Sequence, residues 1–394
     1  MIGPGRTRSR DPPRRTGPRT IATVPGMRAN ADVAVVGAGI VGLSTAYALR
    51  ERGARVVIYE RGVPGNAQSG GDSRIFRHSH QDPRLVSFAT QSRVLWREWE
   101  DRFGCELLSR DGVISIGPKV DQRAALMREN GVPARLLSSA ELDERLPLLA
   151  GWDGAAMLDE QGGVIRTRAA IEALGGALAE DLVFDEVLSV RPKERGTVEL
   201  RAGGLVVEHE RVVVCAGRGT AALARGAGLL LPVRQAVHLR LAFGLRDPAP
   251  DRLPCLLDGS RAFGETFAYA DPLPGNDMYA VGLDETPVDA DGALIEPDGL
   301  AAVMARTQQY AAGALPGLLP EPVQVRHCWV TELPWAEDAF AVWAAGGAYF
   351  MAGNNLFKHA PALGRALAAS ALGEEPGLPL DADARLGAAP AAAT

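Results

Sequence analysis

The chain has 394 residues, 46% of them hydrophobic, and a formal charge of −6; this is too long for one small core and predicts two joined domains. Six arginines and a single acid, Asp11, fall within residues 1–26, so a +5 leader precedes a body near −11. An acidic body excludes nucleic acid as the main partner, and no run approaches the roughly eighteen apolar residues that a membrane span needs.

The leader is rich in Pro, Gly and Thr and reads as a disordered basic extension over residues 1–30. Its paired Arg14 and Arg15 suggest an export signal, but no apolar run of signal length follows them, and Met27 stands as an alternative start. Cys105, Cys215, Cys255 and Cys328 are widely spaced without a CxxC pair. That excludes a usual zinc site and a disulfide framework, so no metal is expected and a reducing cytoplasm is. Only three lysines occur, Lys119, Lys193 and Lys358, so each is a candidate for a chemical role.

In chain order, Asp32–Val36 is an apolar β-branched run of the kind buried in a parallel sheet. Leu43–Arg52 predicts a helix ended by Gly53, and Arg55–Tyr59 the next strand. A glycine-rich loop, Gly65–Ser73, leads to Arg74–His78 and then to a helix from Pro83 to Arg102, with Phe88, Val94, Leu95 and Trp96 as its apolar residues. Gly112–Gly117 reads as a strand, Val164–Leu178 as a helix, and Leu182–Val190, Thr197–Ala202, Leu205–His209 and Arg211–Val214 as further strands. Pro232 to Val325 carries the turn signals of antiparallel hairpins. Ala348–Leu372 predicts a short strand, a turn at Gly353-Asn354-Asn355 and a helix from Pro361, and residues 377–394 a frayed tail.

The glycines Gly37, Gly39 and Gly42 form G-x-G-x-x-G directly after a buried strand and at the opening of a helix, with Glu60 following 23 residues after Gly37. A complete unit of this kind binds a dinucleotide: Gly37 makes the turn, Gly39 admits the pyrophosphate, and Gly42 lets helix and strand pack closely. Glu60 is placed to accept from the adenosine ribose hydroxyls, with Arg61 beside it, and an acid there disfavours a 2′-phosphate. The phosphates belong on the positive helix end. These residues leave FAD and NAD both open.

The run Ser69-Gly-Gly-Asp-Ser-Arg-Ile-Phe-Arg-His78 resembles the monomeric sarcosine oxidase and N-methyltryptophan oxidase group of the D-amino acid oxidase superfamily. Val212-Val-Val-Cys-Ala-Gly217, Cys328-Trp-Val-Thr331 and Phe357-Lys358 resemble further flavin signatures of that group, and the resemblance spans about residues 31–375. It implies an FAD enzyme of α/β and α+β class. A Rossmann-like domain would be assembled from residues 31–107, 163–231 and 328–376, and an antiparallel substrate domain from 108–162 and 232–327. It implies that Cys328 bonds covalently to the flavin 8α position, a task for a thiolate. Lys358 matches the lysine that activates O2, Arg74 the flavin-side arginine and Arg77 the arginine that holds the substrate carboxylate. Ser69, Gly217, Gly353 and Asn354 are then cofactor contacts. Arg74 and Arg77 equally fit an exposed face at i, i+3, and Cys328 an inert buried cysteine.

Three departures bear on the substrate. Gly70 replaces an expected histidine, Asp284 stands where sarcosine oxidases carry theirs, and Asn354-Asn355-Leu356 replaces a glycine-rich loop. Asp284 resembles the branch that oxidises cyclic imino acids, although a turn role is equally open. The expectation is a monomeric FAD oxidase of a secondary or cyclic amino acid with a carboxylate, using O2 and releasing H2O2. The bases on offer are Asp284, His78, His80 and His359. An FAD dehydrogenase of amino or 2-hydroxy acids, and a non-catalytic FAD-binding subunit, are the alternatives.

Overall fold

The computed structural model describes residues 31–388 apart from 249, 290–292 and 294–297, so the expected basic leader lies outside the described residues. The β-branched run at the start forms Val33–Val36, buried on both faces. It centres a six-stranded sheet in the order Phe340–Ala345, Ala348–Gly353, Arg211–Val214, Val33–Val36, Val56–Glu60 and Leu182–Phe184. All pairings are parallel except Phe340–Ala345 with Ala348–Gly353, which a short turn joins. Segments from both ends of the chain therefore build one sheet. Helices Ile40–Glu51, Pro83–Phe103 and Ala360–Leu372 pack into one apolar core with it, through Leu43, Trp96 and Leu363 among others.

The helix Pro83–Phe103 begins where Asp82 accepts from the Arg84 amide and ends at Gly104 in the left-handed region. Val94, expected on its apolar face, is exposed, and Trp99 is buried in that face instead. The helix expected over Val164–Leu178 starts later, at Thr167, because Gly163–Arg166 pairs as a strand with Ser73–Phe76. Likewise Leu182–Val190 divides in two. Leu182–Phe184 joins the large sheet, whereas Val187–Pro192 joins a three-stranded one with Val198–Ala202 and Leu205–His209.

A second large sheet has eight strands in the order Leu318–Glu332, Arg234–Leu245, Met278–Pro287, Ala268–Pro272, Cys255–Asp258, Val113–Ile116, Ala156–Asp159 and Arg135–Leu136. It is antiparallel except where Cys255–Asp258 meets Val113–Ile116. Leu318–Glu332 pairs along Arg234–Leu245, in constant register from Arg234 to Ala242 and with register shifts beyond it, and Cys328 lies opposite His238. The boundary expected at residue 328 therefore falls inside a strand of this sheet. The frayed tail is also corrected up to residue 388: Leu380 and Leu386 are buried, and Val342 N donates to Leu380 O at 2.7 Å. No helix of the described residues is long and apolar enough to cross a membrane.

Candidate active site

The glycine turn is built by close approach. Gly37 has φ +99°, and a Cβ there would stand 2.6 Å from the Cys215 carbonyl oxygen; one on Gly42 would stand 1.9 Å from the Gly37 oxygen. Only glycine fits either place. Gly39 is looser, its nearest atom being Ser69 Oγ at 3.2 Å. Helix Ile40–Glu51 starts at Gly39 without a side-chain cap there, and its first amide, Ile40 N, donates to Ser69 Oγ at 3.0 Å. Glu60 accepts from Ala38 N at 2.7 Å and Gly62 N at 2.9 Å, which fixes its carboxylate beside the turn. Arg61 instead pairs with Glu186 at 3.2 Å on the surface and does not line the cavity described next.

A cavity opens from this turn to the face of the eight-stranded sheet. It brings together Gly39, Ser69, Arg74, Arg77, Gly217, Cys328, Gly353, Asn354 and Lys358 from five separated stretches of chain. Gln68 bridges to the Trp329 carbonyl at 3.1 Å and to Thr331 Oγ1 at 3.2 Å, and Arg218 stacks 3.8 Å above the Trp329 ring.

Arg74 donates to the carbonyls of Ser73 at 2.8 Å and Gly70 at 2.6 Å and stands 3.9 Å from Cys328 Sγ. Arg77 donates to the Ser79 carbonyl and, at 2.6 Å, to Asp338 Oδ2. Lys358, buried in the short helix Leu356–His359, reaches Asp338 Oδ1 at 3.1 Å. Burial pushes its ammonium down to about 8 while Asp338 opposes that fall. His80 Nδ1 and Asn355 Nδ2 also meet Asp338, at 3.1 and 2.8 Å. Burial first, opposed by Asp338, takes His80 down to about 3, and His359 also lies well below its ordinary value. His78 is held on Asp159 at 3.0 Å. None of these three histidines lines the cavity, which removes them as bases acting on a molecule inside it.

Asp284 lies in the strand Met278–Pro287 rather than a turn, and its side chain is outside the described residues. It sits where the pairing register slips, since His238 faces Glu285 but Arg240 faces Gly282.

Sequence reasoning missed Asp338, Arg240, Asp271, His238 and Tyr269. Arg240, buried, donates to Asp271 Oδ1 at 2.5 Å and to Ser73 O at 3.0 Å, which ties the eight-stranded sheet to the segment carrying Arg74. Tyr269 OH meets His238 Nδ1 at 3.0 Å. The signal was His238 and Arg240, two polar residues in phase on an otherwise apolar strand. Asp338 carries no local pattern.

These residues fit a bound flavin dinucleotide. The glycine turn leaves backbone room for a pyrophosphate at a helix N-terminus, and Asn354, buried in the cavity wall, has an Nδ2 donor without a partner among the described residues, suited to an acceptor-rich ring.

A family model described as FAD dependent oxidoreductase (DAO) matches residues 32–370. The chain is 26% identical to human peroxisomal sarcosine oxidase over 327 residues, which is 77% of this chain and 81% of the relative. It is 28% identical to N-methyl-L-tryptophan oxidase of Yersinia pestis (strain Pestoides F) over 201 residues, covering 47% of this chain and 53% of that enzyme. Among solved structures, NikD, described as an unusual amino acid oxidase essential for nikkomycin biosynthesis, aligns with a TM-score of 0.76 at 23% identity, over 87% of this chain and 94% of that one.

Proposed function

This chain belongs to the DAO family of FAD dependent oxidoreductases, and from that premise we propose that it oxidises the C–N bond of a secondary or cyclic amino acid and passes the electrons to O2. The observation that carries this reading is the pair of cations, Arg77 and Lys358, that share one carboxylate and both line the cavity. A guanidinium has five N–H donors, and Ser79 and Asp338 engage only two of its nitrogens, one each. Donors remain for a substrate carboxylate, with Lys358 alongside.

FAD supplies a two-electron acceptor when bound, held covalently through Cys328. The substrate loses two electrons and two protons as C–N becomes C=N, and O2 takes up both to give H2O2. The cation Lys358 favours negative charge developing on oxygen. An amine must be neutral to react, and Asp271, whose buried Oδ2 has no partner among the described residues, is one acceptor in this wall for its N–H. Leu257, Phe267 and Tyr269 give the cavity an apolar, aromatic side, which suits a ring or a larger side chain better than sarcosine.

The test is aerobic turnover of N-methyl and cyclic amino acids with peroxide measured directly. Amine-dependent H2O2 is the expected result. Reduction of a dye without peroxide would make the enzyme a dehydrogenase, and turnover confined to 2-hydroxy acids would remove the C–N assignment.

A further inference from the structure

We propose that Asp338 is the positioning residue of the carboxylate site, holding Arg77 and Lys358 side by side as a fixed pair of cations on the cavity wall. This rests on the reading of that wall as the place where a substrate carboxylate binds.

Four donors from separate places converge on its two oxygens. Oδ2 accepts from Arg77 at 2.6 Å and from His80 at 3.1 Å, and Oδ1 accepts from Asn355 at 2.8 Å and from Lys358 at 3.1 Å. Two cations that close repel each other, and burial penalises the charge of Lys358. Without a carboxylate between them, they would move apart or the lysine would lose its proton. Asn355, which replaces part of the glycine-rich loop of similar proteins, turns its corner at φ 55° and brings its amide onto Asp338. The altered loop is thus part of the same arrangement. Both cations line the cavity while Asp338 does not, so the acid stands behind them and the cations face a ligand.

The charged and titratable groups acting on Lys358 are Asp338, Arg77 and Glu337, with His80 and His359 close by and Arg123 facing Arg77 and the two acids. Burial lowers Lys358 to about 8 and Asp338 opposes it. A neutral isostere at 338 therefore lets the ammonium titrate at lower pH.

The test uses FAD-loaded protein titrated with acetate from about pH 5.5 to 9.5, read by flavin absorbance, so that no turnover is needed. Wild-type affinity should hold to about pH 8 and then weaken up to about tenfold per pH unit as the lysine loses its proton. In Asp338→Asn the weakening should begin at least one pH unit lower, and in Asp338→Glu it should stay near the wild-type position. An unmoved profile in Asp338→Asn overturns the proposal. Where that variant does not take up FAD, Asp338→Glu decides: a loss of acetate affinity of about fivefold or more with the profile in place supports positioning, and unchanged affinity overturns it. Wild type that binds no acetate removes the carboxylate site itself. Protein that binds acetate with the expected profile but oxidises no amine leaves Asp338 standing and removes only the oxidase reading.

Discussion

Arg74 Nη2 lies 3.9 Å from Cys328 Sγ, joining residues 254 positions apart. Arg74 arrives on the strand Ser73–Phe76, anchored through carbonyls, whereas Cys328 comes from the long strand of the eight-stranded sheet. The thiolate is the form of cysteine that attacks carbon, and Arg74 places a cation beside this sulfur. Cys328→Ser is expected to bind FAD yet release it on acid denaturation, while wild-type polypeptide stays yellow and fluorescent. Arg74→Met, which removes the cation beside the sulfur, should attach flavin more slowly. Flavin retained by denatured Cys328→Ser would contradict the tether.

The glycine turn makes a graded prediction. A Cβ on Gly42 has backbone 1.9 Å away, whereas one on Gly39 meets only a serine hydroxyl at 3.2 Å. Gly42→Ala should destabilise by about 3 kcal/mol or more and lose FAD, a large effect for one substitution. Gly39→Ala should stay within about 1 kcal/mol and mainly weaken FAD affinity. Thermal unfolding and flavin content, measured together, separate the two.

The nucleotide half was legible because its chemistry is consecutive: strand, Gly37, Gly39, Gly42, helix and Glu60 lie within one short stretch, each needed by backbone geometry. Arg74, Arg77 and Cys328 were legible only through resemblance, Lys358 also through the scarcity of lysine, and the cavity does gather them. Asp338 was not legible, since its importance comes from four donors distant in sequence. Arg240 and Asp271 sit among apolar neighbours on their strands, where a charge reads as solvent-facing until the sheet closes over it. The tail misled through its alanines and prolines, although the buried Leu380 and Leu386, with hydrogen bonds such as Trp335 Nε1 to Leu386 O, anchor it.

Arg240 and Asp271 form a buried pair at 2.5 Å. Removing one partner strands the other charge, so Arg240→Met or Asp271→Leu alone should cost about 3–5 kcal/mol, while the double replacement should be closer to wild type than either. Urea unfolding of the four proteins forms the cycle; additive losses would show that the pair is not coupled.

His359 sits among Phe88, Phe340 and His80, with neither ring nitrogen partnered among the described residues. Burial holds its pKa well below 6.5, so below that pH the unfolded chain binds a proton that the folded chain does not. Stability therefore falls as pH falls. His359→Phe should make the loss between pH 7 and 5 shallower, by up to about 1.4 kcal/mol per pH unit. An identical slope in both proteins would place the acid sensitivity elsewhere.

The central claim is oxidation of an amino acid C–N bond with O2 as acceptor, and anaerobic mixing tests it most directly. A cyclic or N-methyl amino acid added without oxygen should bleach the flavin absorbance, and admitting O2 should restore it with one H2O2 formed per flavin. Bleaching by 2-hydroxy acids alone, or flavin that stays bleached when O2 is admitted, would contradict the account.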